Sequence, residues 1–135
     1  MEFITVEQFQ EQPLKVQKML MDWWKCDYGD LYYYNEGPLE YKDFEIINSN
    51  LECDLNGDFD YFKSIGVIPI FTEGQLRKFI EDKLDMKIQC EIHPLTLDYI
   101  ILVKNNSGNK VWMHTGKEDL LQAYWKVACM IVKEG

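Results

Sequence analysis

The sequence predicts an α+β fold: an N-terminal helix, an acidic β-hairpin layer, then a helix, a three-stranded antiparallel meander and a closing helix forming a sandwich. Three observations carry this. Three segments open with Thr followed three residues later by Gln or Glu, the reciprocal pairing that satisfies free N–H groups at a helix start: Thr5-Val6-Glu7-Gln8, Thr72-Glu73-Gly74-Gln75 and Thr115-Gly116-Lys117-Glu118. Three strand-like runs lie between the last two. Residues 30–70 hold short apolar and aromatic runs punctuated by Gly37-Pro38 and Asn56-Gly57.

The first helix follows Thr5 and is broken or restarted at Pro13, a residue at ease in a first turn and costly in an interior. Its second part runs to about Lys25, with Val16, Leu20, Trp23 and Trp24 at helical spacing. Trp23-Trp24 then plugs the junction of helix and sheet. Strands are expected at Leu31 to Tyr34, Tyr41 to Ile47, Leu51 to Cys53 and Phe59 to Phe62. After Thr72, Leu76, Phe79, Ile80 and Leu84 form an apolar stripe, while Arg77, Lys78, Glu81 and Asp82 face water. The meander is expected from Lys87 to Ile92, with Ile88, Cys90 and Ile92 inward, from Asp98 to Val103, and from Val111 to His114 after the turn at Asn105 to Asn109. The last helix is the most apolar: Leu121, Tyr124, Ala128 and Ile131 share a face that Trp125 and Val132 widen.

With 135 residues, 47% hydrophobic and 27% charged, the chain suits one folded domain, residues 1–66 carrying the helix and acidic layer and 67–135 the sandwich. There is no apolar run of the ~20 residues a bilayer requires and no signal-peptide pattern at the start, so a cytoplasmic protein without membrane contact is expected. Cys26, Cys53, Cys90 and Cys129 form no C-x-x-C pair and read as small, partly buried thiols. His93 and His114 share no ligand spacing with them, so no zinc site is expected.

Charge is the most uneven property. Residues 22–60 hold eleven carboxylates against Lys25 and Lys42, which accounts for the whole net charge of −9, and nine of the nineteen aromatics. At the end of this window, Leu51 to Tyr61 is expected to close as a hairpin whose register can be argued. A two-residue Asn56-Gly57 turn leaves neither face apolar. A three-residue Leu55-Asn56-Gly57 loop pairs Asp54 with Asp58 and Glu52 with Asp60, gathering Leu51, Cys53, Phe59 and Tyr61 on the other face. Four carboxylates then share one face, where like charges repel. Water and salt relieve that repulsion in the simplest case. A cation is the alternative, since Asp54, Asn56, Asp58 and Asp60 echo the opening of a calcium loop. That pattern wants Gly where Phe59 stands and Glu where Ile65 stands. A basic protein surface is the third option, the carboxylates standing in for phosphates. Tyr32, Tyr33 and Tyr34 belong either to a half-buried strand or to an aromatic contact patch beside Asp30.

No nucleophile elbow, Walker loop or H-E-x-x-H pattern occurs, so no enzymatic activity and no cofactor are expected. Thr5-Val6-Glu7-Gln8-Phe9, Trp23-Trp24, Gly29-Asp30-Leu31, Ile68-Pro69-Ile70-Phe71-Thr72-Glu73-Gly74-Gln75-Leu76 and Asp119-Leu120-Leu121-Gln122-Ala123-Tyr124-Trp125 resemble small uncharacterised proteins encoded by phages and prophages of Gram-positive bacteria. The resemblance spans most of the chain, and its motifs are structural. It implies an accessory protein, in a group that includes inhibitors of host defence such as anti-CRISPR proteins. The expectation is a monomer or weak dimer that binds no nucleic acid itself. Glu52, Asp54, Asp58, Asp60, Asp30, Tyr32, Tyr33 and Tyr34 would meet the basic nucleic-acid surface of a defence effector such as a Cas9-type nuclease. The alternatives are a metal-dependent protein using Glu52, Asp54, Asp58 and Asp60, and a phage structural or regulatory component acting by self-association.

Overall fold

The computed structural model describes residues 3–25, 30–33, 45–46, 68–105 and 107–134 of the chain. Over these residues the order is α1 (Val6–Gln10), α2 (Leu14–Trp23), β1 (Leu31–Tyr33), β2 (Glu45–Ile46), β3 (Ile68–Ile70), α3 (Glu73–Leu84), β4 (Gln89–Ile92), β5 (Tyr99–Lys104), β6 (Lys110–His114) and α4 (Leu120–Glu134). Both sheets are antiparallel, with strand orders β2-β1-β3 and β4-β5-β6, which makes the fold α+β. The chain divides into two compact units, one of residues 5–71 and one joining residues 1–4 to 72–135. None of the described helices is long and apolar enough to cross a membrane.

In the unit of residues 5–71, α1 starts at the predicted box. Thr5 Oγ1 accepts from Gln8 N at 3.1 Å, and Gln8 Oε1 accepts from Thr5 N at 3.0 Å. The break before α2 is stitched by Gln17, whose Nε2 donates to the carbonyls of Gln10 and Gln12 at 3.2 and 2.7 Å. Pro13 is the N-cap residue of α2, one place ahead of the first turn, and its carbonyl accepts from Val16 and Gln17. Val6, Phe9, Val16, Leu20 and Trp24 are buried. Trp24 ends α2 in an extended conformation, and the Trp23 ring lies tilted against Phe71 with centroids 6.1 Å apart.

The sheet of this unit includes β3, a segment not among the strands expected above. A proline inside Ile68-Pro69-Ile70 argues against a strand, because it cannot donate to a ladder. Among the described residues β3 pairs only with β1, with Pro69 opposite Tyr32, so the missing N–H falls on an edge strand of the described sheet. Of the expected strand from Tyr41 to Ile47, Glu45 and Ile46 are described, in register with Tyr32 and Leu31. The strands expected at Leu51 to Cys53 and Phe59 to Phe62 lie outside the described residues.

The other unit is the helix–meander–helix. Helix α3 begins at the second predicted box, with Thr72 Oγ1 accepting from Gln75 N and Gln75 Oε1 accepting from Thr72 N at 2.9 Å. Thr72→Ala removes that cap, and the expected cost is about 1 kcal/mol of unfolding free energy, read from the urea midpoint. Phe3 makes an antiparallel bridge to Thr72, tying the first residues to this unit. Leu76, Phe79 and Ile80 are buried, and α3 packs on α4. Glu81 departs from its expected place in water. Its carboxylate is 11% exposed and accepts from Ile88 N at 3.0 Å, with Arg77 and Lys87 each 3.8 Å away.

Strand β5 is central, pairing Ile101 with Cys90 on one side and with Met113 on the other. Ile101 and Val103 point inward and are buried, and Ile88 joins them. Ile92, expected inward, is 56% exposed. It is the last residue of the edge strand β4, in which Cys90 alone is even half-buried. The β5–β6 turn is as expected: Asn105 Oδ1 accepts from Ser107 N and Asn109 N at 3.0 Å, and Gly108 takes a φ of +81°. In α4, Leu121, Ala123, Tyr124, Trp125, Val127, Ala128, Cys129 and Val132 are buried, so this helix is enclosed on most sides.

The predicted third capping box does not form. Asp119 caps α4, accepting from Gln122 N through Oδ1 and from Ala123 N through its carbonyl, both at 2.9 Å. Gly116, which would have to open the helix, has φ +69°, a left-handed conformation incompatible with a first helical turn. Thr115 is fully buried and donates instead to the Tyr99 carbonyl at 2.6 Å, while accepting from Lys117 N at 3.1 Å.

Candidate partner-binding site

Of the residues expected to meet a partner, Glu52, Asp54, Asp58, Asp60 and Tyr34 lie outside the described residues, as does the three-residue hairpin loop. Asp30 and Tyr32 are placed. Strand β1 is central in its sheet, and its neighbours Leu31 and Tyr32, which point to opposite faces, are 3% and 8% exposed. A strand buried on both faces puts the Tyr32 ring in the core of its unit, not on an outer contact patch. Tyr33 closes the strand opposite Ile68. Asp30 is half-buried, and its Oδ2 accepts the Trp24 indole N–H at 2.9 Å. That bond anchors the start of β1 to the end of α2, so Asp30 has a structural duty within its own unit.

The charge asymmetry coincides with the division of the structure. The unit of residues 5–71 carries thirteen carboxylates and five lysines, a net −8, while residues 1–4 and 72–135 together carry −1. A field of that size confined to one unit attracts cationic surfaces within about a Debye length, ~8 Å at physiological salt.

A second cluster was not legible in the sequence. It lies where β4 crosses to β5, in the loop His93 to Asp98. The β5 register sets Ile92 opposite Tyr99 and Ile100 opposite His114, and this brings His93 and His114 together with ring centroids 5.1 Å apart. The loop is closed by His93 N donating to the Asp98 carbonyl and Leu97 N donating to the His93 carbonyl, both at 2.9 Å. His93 Nδ1 accepts from Leu95 N at 3.2 Å and Thr96 N at 3.3 Å.

Asp98 is 6% exposed and accepts from the Thr96 hydroxyl, from Gly116 N at 2.9 Å, and faces His114 Nδ1 at 3.7 Å. The Thr96 hydroxyl, then the Gly116 N–H, hold its carboxyl below the ordinary value; burial opposes them, and His114 adds a smaller pull downward. A depressed value means that the charged form stabilises the folded loop. The contribution is present in full above the ordinary 3.8 and is lost as the pH falls through the lower folded value.

Chemically this cluster is a scaffold. The Thr96 proton points at the carboxylate and not at an imidazole, so the three groups do not line up as nucleophile, base and orienting acid. Among the described residues no group of three or more His, Cys, Asp or Glu side chains is arranged to hold a metal ion. The calcium-like residues Asp54, Asn56, Asp58 and Asp60 fall outside them. What the loop does present is apolar: Leu95 is 86% exposed and Leu97 is 59% exposed at φ +61°. Cys90 and Cys129 are free thiols, Cys90 half-buried and Cys129 buried.

No family model, curated protein or solved structure matches the chain, so a functional reading rests on the charge partition and the local geometry alone.

Proposed function

We propose that this chain is a non-enzymatic binding protein whose acidic unit, residues 5–71, occupies the basic nucleic-acid-binding surface of another protein, such as a bacterial defence nuclease of the Cas9 type. The supporting observation is that the net charge is concentrated in one structural unit, −8 against −1 for the rest. A basic channel built for nucleic acid binds a succession of phosphates, and a carboxylate-dense unit competes for the same field. Glu52, Asp54, Asp58 and Asp60 supply the densest part of that charge, four carboxylates within nine residues of sequence.

The reading is tested by capture from a bacterial lysate over a salt gradient, followed by association kinetics with the protein captured. Reversal of Glu52, Asp54, Asp58 and Asp60 to Lys is expected to slow association at least about tenfold at low salt and to flatten its salt dependence. A partner bound equally fast by the reversed protein, at low and high salt, overturns it. Saturable heat on titration with calcium, magnesium or manganese, abolished by Asp54→Asn, would assign these four carboxylates to a metal instead.

A further inference from the structure

The β4–β5 loop is held by an acceptor that a single proton removes. His93 Nδ1 takes two backbone N–H bonds, from Leu95 at 3.2 Å and Thr96 at 3.3 Å, which requires that nitrogen to be unprotonated. The same loop carries Leu97 at φ +61°, a conformation that non-glycine residues adopt at a cost and only where surrounding bonds impose it. Its two leucines stand outward, at 86% and 59% exposure. We propose that residues 93–98 form a proton-sensitive loop: neutral His93 fixes Leu95 and Thr96 at the tip, and protonation at Nδ1 removes those two bonds and loosens the tip, while the backbone bonds from His93 N to the Asp98 carbonyl and from Leu97 N to the His93 carbonyl remain.

The surrounding charges set the direction of the response. Protonated His93 would aim an N–H at the two N–H groups it now accepts. From β6, His114 faces it across 5.1 Å between ring centroids, so when both rings are charged they repel. The carboxylate facing His114 is that of Asp98, and its oxygens are already engaged by Thr96, Gly116 and His114. Because those bonds keep Asp98 ionised, it does not titrate across the range in which histidines change charge, about pH 5 to 8. Glu91 precedes His93 by two residues on β4 and Lys117 follows Gly116; both are exposed, where solvent screens them. Acid therefore loosens the Leu95–Thr96 tip and neutral pH fixes it. Histidine suits this role because its acceptor nitrogen vanishes on protonation, whereas an amide oxygen at the same δ position would persist.

That difference supplies the test, with hydrogen exchange of the Leu95 and Thr96 amides in the full chain as the readout, corrected for the intrinsic pH dependence of exchange. The wild-type protein is expected to lose about tenfold in protection at these two amides between pH 8 and pH 5, the scale of one hydrogen bond. His93→Asn, which places Oδ1 where Nδ1 stood, is expected to keep its protection at both pH values. His93→Ala is expected to be unprotected at both. Equal wild-type protection at pH 8 and pH 5 overturns the proposal. So does a His93→Asn protein that loses protection in acid as the wild type does, or a response abolished by His114→Gln and not by His93→Asn.

Discussion

Trp24→Ala is expected to remove about 3–5 kcal/mol from the unfolding free energy, a large part of the ~5–15 kcal/mol typical of a folded protein. Trp24 is 1% exposed and among the largest fully buried side chains, so truncation leaves a ring-sized void that neighbouring side chains refill only in part. It also removes the N–H that donates to the half-buried Asp30 carboxylate at 2.9 Å. Trp24→Phe separates the two losses. It keeps an aromatic ring in place and deletes the donor, for an expected cost of about 1–3 kcal/mol. Asp30→Asn retains an oxygen acceptor and should cost less than Asp30→Ala, which strands the indole N–H. Urea unfolding followed by circular dichroism reads all four, with the midpoint falling and the slope unchanged. A Trp24→Ala protein within about 1 kcal/mol of wild type would show that the indole is not the keystone of this unit.

The Trp24–Asp30 pair also shows where sequence reasoning reaches its limit. Trp24 was legible as a plug at the junction of helix and sheet, because an apolar pattern at helical spacing announces burial. Asp30 groups with the acidic surface in sequence, because its role depends on a partner six residues upstream. The same division runs through the fold. The boxes at Thr5 and Thr72 were legible because every atom involved lies within four residues. At Thr115 the same local pattern lost to distant groups: the Tyr99 carbonyl takes the hydroxyl, the Asp98 carboxylate takes Gly116 N, and the real cap is Asp119. The meander was legible from its alternation and from the Asn-rich turn, whereas β3 was not, since Pro69 forbids a central strand and only the strand order reveals an edge. His93 and His114 stand twenty-one residues apart, and nothing in either local sequence pairs them; the register of β4, β5 and β6 does. The charge partition was legible outright, because charge is a property of composition, but its coincidence with a structural boundary at Phe71 and Thr72 was not.

Alkali is expected to destabilise the helix–meander–helix unit through two groups buried in α4. Cys129 is 5% exposed, and burial pushes its thiol up from the ordinary 9.0 to about 12, with nearby Lys133 pulling weakly the other way. Tyr124 is 2% exposed; burial raises its hydroxyl above the ordinary 10.0, and donation to Cys90 Sγ at 3.6 Å raises it further. Both are acids kept neutral by the fold, so the sign is fixed. Below pH 9.0 the thiol is protonated in folded and unfolded chains alike, and its contribution is present in full. Above that, the unfolded chain releases a proton that the folded chain retains, and stability declines by about 1.4 kcal/mol per pH unit for each such group. Cys129→Ala removes one of the two. Between pH 7 and pH 10.5, under reducing conditions, the variant is expected to lose about 2 kcal/mol less than the wild type. Tyr124→Phe keeps the ring while deleting the hydroxyl, and the double variant should show the flattest alkaline limb of the four proteins. If Cys129→Ala declines as steeply as the wild type, its thiol reaches solvent readily enough to ionise in the folded chain, and the enclosed character of α4 at that position is refuted.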